Sequence, residues 1–356
     1  MLLQGSSEEN NYNYDKLKIT TITMVFLLET HINVLDVFHL LPVTKINLNV
    51  TKKMTTKKFK LPKSDIVGAI LSIRHENITR GIIRNAKFFK NAVSIDISTS
   101  IKNINVKLLC NKIHLCGATS IENGLEAATL IIDHIKRIKS YMDYLRAHVA
   151  EYYAILNWLT RATKGEPTIK TSSNQLICQD NYVLNVIMEH PDFSLHVPEH
   201  IPNEFNHDVV HYLLSLMTDL NYHGDYINKM RNMLKFKHVY TSPDIKILKI
   251  NEVMVNYNYN LGFKINRDKL HRLIDGNNGF ISNYDNAVIN HVPIELNYES
   301  PDVKRKKSKI PHHTFLVYHS GAVTLSGANI RLIKEAYILF MRTIHDMKDE
   351  IIYTDE

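Results

Sequence analysis

Two periodicities alternate along the chain, and their order gives the first view of its architecture. Over 16–28, Ile22, Met24, Phe26 and Leu28 fall on one face while Thr21, Thr23 and Val25 fall on the other, which predicts a half-buried strand. Residues 32–41 switch to helical spacing, and a lysine-rich stretch at 45–60 follows. Residues 66–74 read as a second strand. In a third, Ile104, Val106 and Leu108 alternate with Asn105, Lys107 and Leu109, and 112–116 is its hairpin partner. Thr119-Ser120-Ile121-Glu122 has the spacing of a capping box, in which a hydroxyl and a carboxylate satisfy amides left over at a helix start. It opens a long apolar-periodic helix through Leu125, Ile131, Ile132 and Ile135. Residues 75–103 carry mixed polar and basic signals and are expected to form an excursion between strands.

The order returns late in the chain. Val253, Val255, Tyr257, Tyr259 and Leu261 alternate with Met254, Asn256, Asn258 and Asn260. A helix over 266–274 stops at Gly276, a common helix-end residue. Strands are predicted at 292–296, 314–318 and 322–326, the last two joined by a turn at Ser320-Gly321, and a long helix runs from 330 to about 349. Both ends therefore spell strand, helix, strand, strand, strand, helix. The letters agree as well: Lys112-Ile113-His114-Leu115-Cys116-Gly117-Ala118 lies opposite Ala322-Val323-Thr324-Leu325-Ser326-Gly327-Ala328, and Glu126-Ala127 and Glu335-Ala336 follow. Such an internal repeat constrains the whole architecture. The expected organisation is a frayed start at 1–14, a first repeat at 15–136, a mostly helical insertion at 137–245 and a second repeat at 246–351. Within the insertion, 141–159 continues the first long helix, 207–220 forms another, and 165–174 reads as a loop.

Composition narrows the function classes. A hydrophobic share of 44% supports a packed core, and a net charge of +7 suits a polyanionic partner without identifying one. Three cysteines, Cys110, Cys116 and Cys178, are too few for a disulfide framework and point to a reducing compartment. The early apolar run at 22–28 is far short of the roughly 20 residues that cross a bilayer, and no signal-type segment precedes it. A soluble intracellular protein without a membrane role is expected.

Several blocks, taken in order, resemble the core of the TATA-binding protein family. Phe263-Lys264-Ile265-Asn266-Arg267, Gly279-Phe280-Ile281-Ser282-Asn283-Tyr284 and Val317-Tyr318-His319-Ser320-Gly321, followed by Gly327-Ala328, carry the likeness in the second copy. Residues 66–74 and 112–118 carry it in the first, so it spans about 200 residues in two blocks. The large insertion and the departures from the family's usual letters are similar to the divergent versions found in large DNA viruses. The resemblance implies an α+β fold: two pseudo-symmetric repeats form one curved antiparallel sheet, a saddle covered by helices. It further implies a transcription initiation factor that needs no cofactor and performs no catalysis. Such a factor binds A·T-rich promoter DNA in the minor groove as a monomer and recruits a B-type factor and RNA polymerase. It would work in the nucleus or in a cytoplasmic viral factory, or be packaged in a virion.

On that reading the uncovered sheet face meets DNA. Thr21, Thr23, Lys107, His114, Cys116, Asn256, Asn258, Thr324 and Ser326 would line it. Asparagine amides suit the minor groove because they donate to adenine N3 and thymine O2 in either pair orientation. Cys116 reads equally well as a small buried residue, and a thiol is a poor donor. The family's wedge positions fall on Ile66, Leu109, Ile289 and Tyr318. The family carries phenylalanines there, so a milder bend is predicted. Lys63, Arg74 and Lys112 lie near phosphate-contact positions, whereas Ser72 and Glu295 stand where the family tends to have arginine. Lys304-Arg305-Lys306-Lys307 with Lys309, and Arg80, Arg84, Lys87 and Lys90, are expected in loops at the rim.

Three other readings compete. His207 and His211 lie one helical turn apart, near His190, His196 and His200, but Asp208 is too short for the glutamate role of zinc peptidases. Surface or partly buried histidines are the simpler account. The sequence contains no glycine-rich phosphate loop or nucleophile elbow. The serious rival is a protein-binding scaffold of the same fold with weak DNA contact, favoured by Glu295 and the missing phenylalanines. Tyr141, Tyr144, Tyr152, Tyr153 and Trp158 cluster along one helix of the insertion and read as core before docking surface.

Overall fold

Alternating strands of this kind bury one face by packing helices on it, and the structure follows that rule. The computed structural model describes residues 14, 17–44, 64–76, 78–82, 91–162, 201–217, 233–235, 239–298, 311–328 and 330–354. Its strands are β1 (Ile19–Leu28), β2 (Ile70–His75), β3 (Ile78–Gly81), β4 (Val93–Ser98), β5 (Asn103–Leu109), β6 (Lys112–Ala118), β7 (Ile247–Asn260), β8 (Phe280–Ser282), β9 (His291–Asn297), β10 (His312–Tyr318) and β11 (Ala322–Gly327). They belong to one antiparallel sheet. The helices are α1 (Val34–Leu40), α2 (Ile121–Ala147), α3 (Val149–Ala162), α4 (His207–Met217), α5 (Arg267–Ile274), α6 (Ile330–Asp346) and α7 (Lys348–Ile351). The chain divides into two compact units, one of Met1–Val25, Cys116–Ile121 and Asn251–Glu356, the other of Phe26–Leu115 and Glu122–Ile250.

In the first unit the strands run β7-β11-β10-β9-β8. Val255 and Tyr257 of β7, Val323 and Leu325 of β11, Phe315 and Val317 of β10, and Val292 and Ile294 of β9 are buried. The ring of Phe340 on α6 stacks on Phe315 with centroids 4.2 Å apart, and Phe280 meets both edge-on. α5 starts where the Asn266 side chain accepts from the Lys269 amide, leaving one fewer unpaired donor at the helix end. Gly276 then takes φ +77, a conformation that suits glycine. Gly321 is fixed by space as well as by its φ of +79, because a Cβ there would lie 2.1 Å from the Phe263 carbonyl oxygen. Gly327 packs against the imidazole of His313, which would stand 2.4 Å from an added Cβ.

In the second unit the order is β3-β2-β4-β5-β6. Ile73, Ile95, Ile97, Ile104, Val106, Leu108, Ile113 and Leu115 are buried on the side that takes Phe38 of α1. His134 of α2 hydrogen-bonds the Gly68 carbonyl oxygen at 2.8 Å, and the Asn123 amide donates to Thr99 at 2.8 Å. Helices from the expected insertion belong to this same unit. Tyr212 of α4 donates to the Leu40 carbonyl oxygen and stacks on Tyr141 of α2, and Trp158 of α3 meets Phe205 edge-on. Tyr152 is buried, whereas Tyr153 is half exposed.

Several elements differ from the sequence reading. Each α1-type and α5-type helix is followed by four strands rather than three, with β3 added in the second unit. The excursion expected over 75–103 contains β3 and β4, and β4 lies between β2 and β5. Arg80, expected in a rim loop, is buried and donates to the Phe38 carbonyl oxygen. β2 begins at Ile70, leaving Ile66 in the preceding turn. The helix expected over 141–159 breaks at His148. Val253, assigned to the covered face, is 45% exposed because the ladder with β11 reaches only to Val255. The loop expected over 165–174 lies outside the described residues.

Two outcomes test this packing. Phe340→Ala removes the ring at the centre of the aromatic cluster and should cost about 3–5 kcal/mol, read from urea denaturation. Burial, reinforced by neighbouring His312, pushes the His313 imidazole down to about 4 from its ordinary 6.5. The unfolded chain therefore takes up a proton between those values that the folded chain refuses. The His313 contribution should be complete above pH 6.5 and fall progressively as pH drops through 4. His313→Gln should flatten that part of the stability–pH curve in matched melts.

Candidate nucleic-acid interface

Register determines which side chains share the face opposite the helices. In the first unit Asn258 pairs with Thr324, and Thr324 with Leu316, which pairs with Pro293. One step along, Asn256, Ser326, Thr314 and Glu295 form the next row. These rows alternate with the buried positions, so they stand on the uncovered face. Their chemistry is mostly neutral: amides and hydroxyls that donate or accept, one leucine, and a carboxylate at the outer edge.

The asparagines are not equivalent. Asn256 already donates to the Thr21 hydroxyl at 3.0 Å. Asn260 accepts from the Gly262 amide and caps the turn. Asn258 is exposed, and its amide has no hydrogen-bond partner among the described residues. Met254, on the same face, is 40% exposed. Thr23 and Cys116 form a weak hydroxyl-to-thiol contact at 3.8 Å, and both are half-buried on this side. Glu295 lies 3.8 Å from the His312 ring. Tyr318 ends β10 with its ring against His291, and Ile289, half-buried, lies two residues before that histidine.

The second unit is built differently. Lys107, Leu109, Lys112 and His114 are half-buried on the face opposite Val106, Leu108 and Ile113. Burial first, and then the charge of Lys107, hold the His114 imidazole below its ordinary range. The next strands are closed. Asp96 of β4 is 1% exposed and pairs across the ladder with Asn105. Arg74 reaches it at 3.0 Å, the Ser72 hydroxyl donates to it at 2.6 Å, and the Asn105 amide at 2.9 Å. Arg74, expected to contact phosphate, is 6% exposed and committed to this carboxylate. Withdrawing it would abandon a buried anion, so the guanidinium is unsuited to a ligand contact.

Two of the expected wedges lose their symmetry. Ile66, 57% exposed, precedes Gly68, whose amide bonds the Ser98 carbonyl oxygen at one end of β4. Leu109 ends β5 beyond the Leu108–Val93 pair, at the other end of β4. Ile289 and Tyr318 instead share one end, through the His291–Tyr318 pair. The β5–β6 connection is two residues and the β10–β11 connection three, which is the one-residue difference that the alignment of Leu109 with Tyr318 requires. Lys63, Arg84, Lys87, Lys90, Lys304, Arg305, Lys306, Lys307 and Lys309 lie outside the described residues, as do His190, His196 and His200. His207 and His211 are exposed on α4, and among the described residues no three metal-ligating side chains cluster. No described helix is long and apolar enough to cross a membrane.

Sequence reasoning passed over Asp96, Asn105, Thr314 and Leu316. The alternation of Val93, Ile95 and Ile97 with Ser94, Asp96 and Ser98 is visible in the letters, as is that of β10. No family model matches the chain, and no curated protein matches it. Among solved structures it is similar to the TBP of Methanococcus jannaschii, with a TM-score of 0.35 and 10% identity over 93% of this chain and 98% of that one. Likeness at that level assigns neither a family nor a function.

The buried ion pair yields a clear expectation. Asp96→Asn or Arg74→Met should each destabilise the protein by about 3–5 kcal/mol, since each strands a buried charge. Arg74→Met with Asp96→Leu should cost less than the two single changes added together, measured by urea denaturation.

Proposed function

We propose that this protein binds A·T-rich double-stranded DNA in the minor groove through the uncovered sheet face, as a TATA-binding-protein-like initiation factor. The observation that supports this most is the pair Asn258 and Thr324, directly opposite each other on an exposed face whose reverse is packed with Val255, Tyr257, Val323 and Leu325. A·T pairs offer only acceptors in the minor groove, and a neutral amide beside a hydroxyl can donate to them in either orientation. Ser326 and Thr314 extend the same chemistry by a row. Thr21 and Thr23 flank it, and Ile289 and Tyr318 supply apolar bulk at one strand end. The basic run at 304–307 would add phosphate contacts. On this reading the covered side would receive a B-type factor and RNA polymerase, and the protein would act as a monomer on DNA, in the nucleus or a viral factory.

Two observations favour the second reading, a protein-interaction scaffold with weak DNA contact. Arg74 is sequestered by Asp96, and Glu295 places a carboxylate on the face that would approach phosphates. Salt titration separates the readings. Groove binding predicts preference for an A·T-rich over a G·C-rich duplex and affinity that falls with salt. Asn258→Ala with Thr324→Ala should reduce that preference while leaving the melting temperature nearly unchanged. Equal micromolar binding of wild-type protein to both duplexes would establish the scaffold instead.

A further inference from the structure

The polar positions of the outer strands meet opposite fates in the two units. In the second unit Ser72 and Arg74 of β2, and Ser94, Asp96 and Ser98 of β4, alternate with apolar residues, yet all five are buried, at most 8% exposed. Their polar atoms are turned inward: Asp96 accepts from Ser72, Arg74 and Asn105, and the Ser98 hydroxyl donates to the Ser64 carbonyl oxygen at 3.2 Å. A duplex could reach these groups only by opening that packing, and a buried charge stripped of its partner is costly. In the first unit the row Asn258, Thr324, Leu316 and Pro293 keeps contact with water, every member exposed or half-buried. So does the next row, Asn256, Ser326, Thr314 and Glu295.

The apolar side chains at the strand ends divide in the same way. Tyr318 and Ile289 stand together at one end of the first unit's rows, through the His291–Tyr318 pair, and both are half-buried. Ile66 and Leu109 lie at opposite ends of β4. An apolar wedge has to adjoin the face that sits in the groove in order to part a base step there. Only the first unit meets that condition with a pair of residues.

We infer that the first unit alone grips the minor groove, over a short A·T block, and that β2 and β4 of the second unit take no part. This rests on the groove-binding reading above and sets the size of its target. The row from Asn258 to Pro293 crosses three strand spacings of about 4.8 Å, or roughly 14 Å in all. At roughly 3.4 Å per step, a groove lying along that row presents about four base pairs.

The test measures affinity, by fluorescence anisotropy, for G·C duplexes that carry a central A·T block of increasing length. Wild-type protein should bind about fivefold more tightly with each added pair up to about four. Longer blocks should add only the gain from extra registers. Leu316→Glu puts a carboxylate in the middle of the row and should abolish the A·T preference at every block length, with circular dichroism showing the fold retained. Wild-type affinity that keeps climbing as steeply to twice that length overturns this inference and leaves the groove reading intact. An A·T preference that persists on the longer blocks in folded Leu316→Glu protein overturns it as well, because a second surface would then be reading the groove. Wild-type protein that binds every block length and an all-G·C duplex alike overturns the groove reading itself.

Discussion

A strand sends successive side chains to opposite faces, and in this chain one of those faces is sealed by helices. That constraint governs what the other face is able to do. Phe315, Phe280 and Phe340 in one unit, and the isoleucines of β2 and β4 beneath α1 in the other, bind sheet to helix by excluding water. Burying each such side chain is worth roughly 1.5–3 kcal/mol, enough in sum to fix the register. Once register is fixed, Asn258 and Thr324 have to stand side by side, and Lys107 has to lie beside Ser94. The uncovered face is thus an array whose spacing comes from backbone hydrogen bonds, not from its own side chains.

Much of this was legible in the letters because alternation is a strong signal where apolar and polar residues strictly interleave. β1, β5, β6, β10 and β11 read correctly for that reason, and so did the start of α5, where Asn266 caps and Gly276 ends the helix. β4 failed because an aspartate at the middle of a strand argues against burial. Its carboxylate becomes acceptable only through Arg74, 22 residues earlier in the chain, and no local pattern reveals such a partner. Arg80 misled in the same way: a cation in a polar stretch suggests solvent, yet it is held by a carbonyl of α1. At β7 the pattern of faces was right, but its covered side ends where the neighbouring strand ends, a fact about β11 and not about β7.

The candidate site was legible by residue type and less so by availability. Asparagines at 256, 258 and 260 look alike in sequence. Hydrogen bonding separates them, since Asn256 is occupied by Thr21 and Asn260 by its own turn. Arginine at 74 looks like a phosphate ligand until the buried carboxylate beside it is seen. Glycines show the same limit: Gly327 is required by the imidazole of His313, whereas Gly117 has nothing near it and needs only its φ of +98. The matching Gly-Ala letters of the two copies therefore arise from different physical causes.

Asp96 and Glu295 differ in how the protein meets their charge. Each is an acid at a position that alternates with its strand's apolar residues, each opposite a polar residue of the next strand, Asn105 or Thr314. Asp96 is enclosed and satisfied by three donors, which converts a repulsive charge into a fixed structural element. Glu295 stays in contact with water, with only a histidine ring near it. A charge that is buried and paired contributes little to the field outside the protein, while an exposed one projects it. Two ladders with similar backbone geometry consequently treat an acid differently: one encloses and pairs it, the other leaves it in water. Repetition of the strand pattern sets where the side chains stand, and the long-range partners each unit supplies set whether a carboxylate there is enclosed or left in water.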